Sequence, residues 1–365
     1  MDKIKIEEFL RLALQIPVLD VRSPGEYNHA NIPGAYNLPL FTDEERKIVG
    51  TAYIQEGREK AIKIGLDYFG GKMRKMVEEV EEIVSTCKSK ISNDSPCAVN
   101  SVLVHCWRGG MRSAGVAWLL DLYGFKVYTL SGGYKSFRNW VLQQFKKRYP
   151  LLVLGGYTGS GKTQILQELL KAGHPVIDLE GIAGHKGSAF GGLGEPKQPT
   201  QEMFENKLAL ALHSLSDEKD GYIWIEDESQ RIGSVNLPNE LHKNMQQSPV
   251  YFLDIPFEQR LNYITEEYGK FKKEELVAAI MRIQKRLGGL NTKNAINYLL
   301  EDDFKGSFGI LLNYYDKYYE RSLTERNNKG RLVSTIPCEQ IDAKINAKKL
   351  TDKKLTPDGI AGGKN

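Results

Sequence analysis

"SVLVHCWRGGMRSAGVAWLLDLYG", residues 101–124, decides the fold of the first half of the chain. A short apolar run ends on a cysteine, Gly109 and Gly110 follow, and helical spacing begins near Ser113 and stops at Gly124. Strand, loop, helix is the repeating unit of an open parallel sheet, and it puts Cys106 at the C-terminal end of a buried strand. The two glycines let the backbone curl with its N–H groups inward, and the helix that follows adds its positive end. Arg108 and Arg112 add cationic charge. Such a nest stabilises a thiolate and holds an anion beside it. Cys106 therefore reads as a nucleophile, with Arg108, Gly109, Gly110 and Arg112 as its anion-binding loop. The bland alternative is a small buried residue ahead of a helix cap. Strand alternation turns His105 away from the nucleophile's side, which suits a core or orienting role.

Outward from this stretch, "PVLDVRS" (17–23), "AYNLPL" (35–40) and "KVYTLSGG" (126–133) read as further strands. The N-terminal "MDKIKIEEFLRLAL" reads as a short amphipathic helix, since acidic residues interrupt what a signal peptide keeps apolar. A long stretch from Phe41 to Lys90 is helical in pattern and rich in both charge signs, and the segment 88–101 reads as a polar insertion. "GGYKSFRNWVLQQFKKRYP" (132–150) sets Phe137, Trp140, Val141 and Phe145 on one helical face and is closed by Pro150. The expected division is a first domain over 1–135, a linking helix over 136–150, a second domain over 151–340 and a flexible Lys-rich tail over 341–365.

The second domain opens with "LLVLGGYTGSGKTQILQELLKAG", residues 151–173. An apolar strand precedes it and a helix follows, the context that the G-x-x-x-x-G-K-[ST] phosphate loop requires. Gly156, Gly159, Ser160 and Gly161 would supply the cradle, Lys162 would reach a terminal phosphate, and Thr163 could bind Mg²⁺. "YIWIEDES" (222–229) is a candidate acidic strand end, with Glu226 or Asp227 holding Mg²⁺ through water or serving as acid or base; a solvated turn is the alternative. "GHKGSAFGGLG" (184–194) is expected to be a closing lid that brings His185 and Lys186 to a phosphate or an RNA backbone, unless it is merely a surface loop. Four tyrosines in "YYDKYYERS" (314–322) suit packing, with base stacking as the alternative.

Composition bounds the partners. The 365 residues are 41% hydrophobic and 26% charged, with a net charge of +4, which singles out no polyanion. Four scattered cysteines without a C-x-x-C pair argue against a zinc site and a disulfide framework. No run is apolar enough to span a bilayer, and a cytoplasmic protein is expected.

"VLDVRSPGEYNHANIPGAYNLPL", "VHCWRGGMRS" and "YTLSGGYKSFRNW" resemble a rhodanese domain over nearly all of residues 15–140. The resemblance implies a cysteine that carries sulfur or selenium, and it makes Asp20, Arg22 and "HANIPGA" structural signatures. One departure stands out: C-x5-R is a longer loop than simple sulfurtransferases carry, with room for a tetrahedral oxyanion, and the H-C-x2-G-x2-R-S pattern is also that of protein tyrosine phosphatases. Both readings stay open for this domain alone.

The two loops in this order, with "HKGSAFGGLG" and "EDES" behind them, resemble the tRNA 2-selenouridine synthase family over roughly residues 15–325. That resemblance implies an α/β protein: a rhodanese-like open parallel sheet with helices on both faces, then a P-loop NTPase-like α/β domain with a helical C-terminal part. It implies a tRNA partner whose wobble 2-thiouridine becomes 2-selenouridine through an S-geranyl intermediate. The co-substrates would be geranyl diphosphate and selenophosphate, with no tightly bound cofactor, Mg²⁺ as a candidate, no membrane, and the selenophosphate-producing enzyme as a candidate partner. Two rivals come from other classes: a sulfurtransferase or Cys-dependent phosphatase fused to a P-loop small-molecule kinase, and a non-catalytic RNA-binding protein.

Overall fold

A computed structural model describes residues 1–90, 100–215, 221–328 and 333–352. The chain forms two compact units, Met1–Gln144 and Phe145–Asn365.

The first unit is built on a five-stranded sheet of β1 (Asp2–Ile4), β2 (Val18–Asp20), β3 (Tyr36–Asn37), β4 (Ser101–His105) and β5 (Lys126–Leu130). All pairings are parallel, in the order β1-β5-β4-β2-β3. Strand β4 is buried along its whole length, as the centre of a sheet covered on both faces must be. Its Val102 and Val104, with Cys106 just beyond, pack with Met76, Val80 and Val84 of helix Met73–Lys90 and Val116 and Leu120 of helix Met111–Tyr123. Helices Ile6–Ala13 and Gly133–Gln144 lie against each other and against β5.

Two expectations change here. The N-terminus is not helical throughout: Asp2–Ile4 pairs with β5 at the sheet edge, and the helix starts at Ile6. A three-residue edge strand is made by its partner, which local periodicity cannot see. The expected linking helix is no link, because Tyr134, Phe137, Trp140 and Val141 are buried and the unit runs through Gln144.

The second unit carries β6 (Leu151–Gly156), β7 (Val176–Ile177), β8 (Ile223–Glu226), a small antiparallel hairpin of β9 (Arg231–Ile232) and β10 (Val235–Asn236), β11 (Val250–Asp254) and β12 (Val333–Pro337). The main sheet is parallel in the order β12-β11-β6-β8-β7. Buried β6 feeds helix Lys162–Lys171 across the phosphate loop. A separate helical core gathers Leu261, Ile264, Leu276, Ile280, Leu299 and Phe308.

The tail expectation is corrected in part. Ala343–Asp352 is a helix whose Ala347 and Leu350 pack with Ile165, Leu166 and Leu169 of the helix that begins at Lys162. Its lysines lie on one side of an amphipathic element, and composition alone hides the apolar side. Residues 353–365, and most of the expected polar insertion, lie outside the described residues.

Leu350 is fully buried. Leu350→Ala is expected to destabilise the second unit by ~2–5 kcal/mol, the cost of truncating a buried leucine. Denaturant unfolding followed through Trp224, which belongs to the same apolar cluster, would check it.

Candidate active site

The thiol loop assembles by close backbone approach. Gly109 and Gly133 both have positive φ, 62° and 59°. A Cβ on Gly133 would collide with the Cys106 carbonyl and the Gly109 nitrogen, so no side chain fits at the crossing. Tyr134 N–H donates to the Cys106 carbonyl at 2.8 Å, and Lys135 N–H to that of Trp107 at 2.9 Å. The loop is thus tied to the helix that follows β5.

Inside it, Gly110 N–H donates to Cys106 Sγ at 3.3 Å, and Ser113 Oγ lies 3.2 Å from the sulfur. Burial alone pushes the thiol up. Hydrogen bonds from the Ser113 hydroxyl and amide and from Gly110, with the charge of Arg112, more than offset that and hold it below its ordinary value. The expected pair of arginines is thereby revised: the charge that weighs on the sulfur is that of Arg112, whereas Arg108 is exposed. Ser113 was missed as a functional residue. Its position one turn into the helix, facing back along the axis, was the available signal.

His105 lies on the other side of β4, stacked on Tyr134 with ring centroids 6.2 Å apart and edge-on to Phe9. Complete burial holds its pKa down, despite Asp20 Oδ2 at 3.7 Å from Nε2. It is a neutral core residue. Asp20 and Arg22 form a buried pair at 2.6 Å.

In the phosphate loop Gly159 and Gly161 take left-handed backbone, φ 82° and 70°, which turns the chain around the space where phosphate oxygens would sit. Ser160 Oγ is buried, has no hydrogen-bond partner among the described residues, and packs on Gly156. Lys162 Nζ donates to the Gly156 carbonyl at 3.3 Å. Burial alone would lower the Lys162 ammonium, but Tyr319, Glu180, Glu228 and Asp227 raise it above its ordinary value. Thr163 Oγ1 donates to Glu180 Oε2 at 2.9 Å. Burial and neighbouring Glu180 push Glu228 up to about 8, and burial pushes Tyr319 up to about 12.

Of the two acidic candidates, Asp227 acts on Lys162, but Glu226 does not join the loop. It is fully buried, accepts the Leu179 N–H at 2.7 Å, and is raised well above the carboxylate range by burial and by Asp178. It is a tether between β8 and the helix Leu179–Ala183. Glu180 and Glu228, which the sequence reading passed over, take its place. Among the described residues no group of three His, Cys, Asp or Glu side chains is arranged to hold a metal ion.

The lid expectation is also corrected. Lys186 Nζ is held by Glu267 at 2.9 Å and Glu195 at 3.3 Å, and those carboxylates keep its pKa high although burial opposes it. His185 is half-buried against Gly191, Gly192 and Gly233, and burial lowers its pKa. Phe190 inserts into the helical core beside Tyr268 and Phe308. The loop is pinned rather than poised. The four tyrosines divide: Tyr314 packs against the helical core, Tyr315 accepts the Ala189 N–H, Tyr319 sits edge-on to Tyr157 near Lys162, and Tyr318 is exposed.

The chain matches the rhodanese-like domain over residues 6–139 and the tRNA 2-selenouridine synthase AAA domain over residues 149–336. A tRNA 2-selenouridine synthase from Sulfurovum sp. is 34% identical across 90% of this chain and 93% of its own length. One from Bdellovibrio bacteriovorus is 34% identical across 90% and 94%, and one from Shewanella piezotolerans is 35% identical across 79% and 80%. The chain belongs to the tRNA 2-selenouridine synthase family. It is accordingly an enzyme, and the rhodanese and P-loop units of the family are those that carry Cys106 and Lys162. Among the described residues no helix is long and apolar enough to cross a membrane.

If the thiolate of this synthase is held by its local donors, Cys106 alkylation by iodoacetamide should titrate below the ~8.5 of an ordinary thiol. Ser113→Ala should move the midpoint upward and slow alkylation at neutral pH, because the lowering hydrogen bond is lost while burial remains. Rate against pH, read on the Cys106 peptide, checks both.

Proposed function

We propose that the protein converts the wobble 2-thiouridine of tRNA to 2-selenouridine in two steps, one in each unit. The observation that carries the reading is a single chain bearing a thiolate nest at Cys106 and a phosphate loop with a carboxylate-flanked lysine at Lys162. The relatives' printed name specifies a tRNA substrate and selenium. The two steps follow from the chemistry of that exchange.

A thiocarbonyl sulfur is a poor leaving group until it is alkylated. In the first step the sulfur bonds to C1 of geranyl diphosphate, the C1–O bond breaks, diphosphate leaves and the ring N3–H proton is lost. Lys162 and the amides of the Gly156–Thr163 loop neutralise the departing diphosphate. Were Mg²⁺ to accompany the diphosphate, Thr163 would be the residue to hold it, and the ion would add charge neutralisation. In the second step selenophosphate bonds through selenium to C2, the C2–S bond breaks and sulfur leaves with the geranyl group; water then takes the phosphoryl group, the P–Se bond breaks, phosphate is released and N3 regains its proton. Cys106, kept as thiolate, receives the selenophosphate in the anion nest of its loop.

The division of labour is testable in the full-length protein. Lys162→Ala should leave 2-thiouridine unmodified. Cys106→Ala should stop at the S-geranyl nucleoside and accumulate it. Nucleoside digestion and mass spectrometry of the tRNA would separate the two. A folded Cys106→Ala protein that binds tRNA but makes no geranylated nucleoside would sink the assignment of one step to each unit.

A further inference from the structure

Arg112 weighs on Cys106, yet its guanidinium is already engaged. Nη1 donates to Glu26 Oε2 at 2.7 Å and Nη2 to Oε1 at 3.3 Å, a two-pronged hold. Arg46 Nε meets the same carboxylate at 2.9 Å. Glu26 belongs to helix Pro24–His29 and also accepts the Ser23 N–H at 3.1 Å, which closes that helix's capping box. Its side chain is 14% exposed and that of Arg112 is 22%, so neither partner is well solvated. Burial alone would raise the Glu26 carboxyl, but the two arginines and the Ser23 amide hold it below its ordinary value. It is ionised at neutral pH.

The arginine that closes a C-x5-R loop has the forked shape that grips two oxygens of a tetrahedral anion at once. A fork spent on Glu26 is not available for that grip. We propose that Glu26 is a specificity-determining residue of the thiol loop: by holding the fork of Arg112 it keeps the loop's affinity for tetrahedral oxyanions low. An oxyanion that has delivered its chalcogen is then released, and a phosphomonoester is not retained. The proposal rests on Cys106 being the reactive thiolate and is independent of the geranyl step.

Tungstate, a tetrahedral oxyanion, serves as probe in the full-length protein. Its protection of Cys106 from iodoacetamide is read by peptide mass spectrometry. That signal reports the thiol loop, whatever tungstate binds at the phosphate loop, and Cys87 and Cys338 are internal controls. Glu26→Gln keeps an acceptor for the Ser23 amide and removes the charge that holds Arg112. It should lower the half-protecting tungstate concentration at least about tenfold, the scale of one charge-assisted hydrogen bond. Arg112→Lys added to Glu26→Gln keeps the charge but has no fork, and should abolish most of that gain. Glu26→Asp, whose shorter carboxylate cannot reach both nitrogens, should give a smaller gain in the same direction and stands in if the Gln variant does not fold. An unchanged half-protecting concentration in a folded Glu26 variant, or a gain that survives Arg112→Lys, overturns the proposal. A wild-type Cys106 no more reactive than Cys338 would instead strike the reactive-thiolate reading.

Discussion

The thiol loop hangs from one buried guanidinium. Arg22 is 1% exposed and makes four bonds to acceptors: both Asp20 oxygens, one of them twice, and the Ala30 carbonyl at 2.8 Å. Its planar face lies 3.8 Å from the centroid of Tyr134. Tyr134 in turn donates its N–H to the Cys106 carbonyl and stacks on His105. One side chain therefore joins the end of β2, the segment after helix Pro24–His29, the helix after β5 and the backbone that carries Cys106. A buried ion pair gives little net stability, but removing one partner costs ~3–5 kcal/mol because the other charge is left unpaired. Fixing the loop's frame is what the pair supplies. His105, held neutral by burial, adds no competing charge to it.

Both loops sit where parallel strands β4 and β6 end and a helix begins, and each is braced by a segment distant in sequence. At Cys106 the brace is Gly133. At the phosphate loop it is Ile341: a Cβ on Gly161 would stand 2.9 Å from Ile341 Cγ2. Helix Ala343–Asp352 then fixes Ile341's segment to the back of the loop's own helix. Arg260 adds a second brace from within the unit, bonded to the Thr158 carbonyl at 3.3 Å and paired with Asp316 at 2.7 Å. Preorganisation of this kind lets backbone amides meet an anion without first paying for their own ordering.

What could be read from the chain alone follows the range of the interactions involved. The two strand–loop–helix units were legible because their signals are local: an apolar run, glycines at fixed spacing, then helical periodicity. Cys106, Gly110, Lys162 and Thr163 fall where that spacing puts them. Edge strands β1 and β12 were not legible, since a strand of three or five residues is made by its neighbour rather than by its own pattern. Glu26, Glu180 and Glu228 were missed because an isolated glutamate carries no mark of its partner 86 residues away, as Glu26 and Arg112 are. Lys186 was misread for the same reason. A lysine in a glycine-rich loop looks free until Glu195 and Glu267 appear beside it. Composition misled at the tail, where lysine content concealed the buried Leu350.

The two loops differ in how their charge is balanced. At Cys106 the arginine that closes the loop is already paired with Glu26. At Lys162 the balance runs the other way. Glu180, Asp227 and Glu228 surround a single lysine, which by simple count makes the pocket repel a diphosphate. Glu228, pushed up to about 8 by burial and by Glu180, keeps its proton at neutral pH, so the pocket carries less negative charge than its sequence suggests. Under the proposed assignment a diphosphate there would meet a neutral Glu228 carboxyl able to donate a hydrogen bond, and a lysine whose charge Glu180 and Asp227 hold in place.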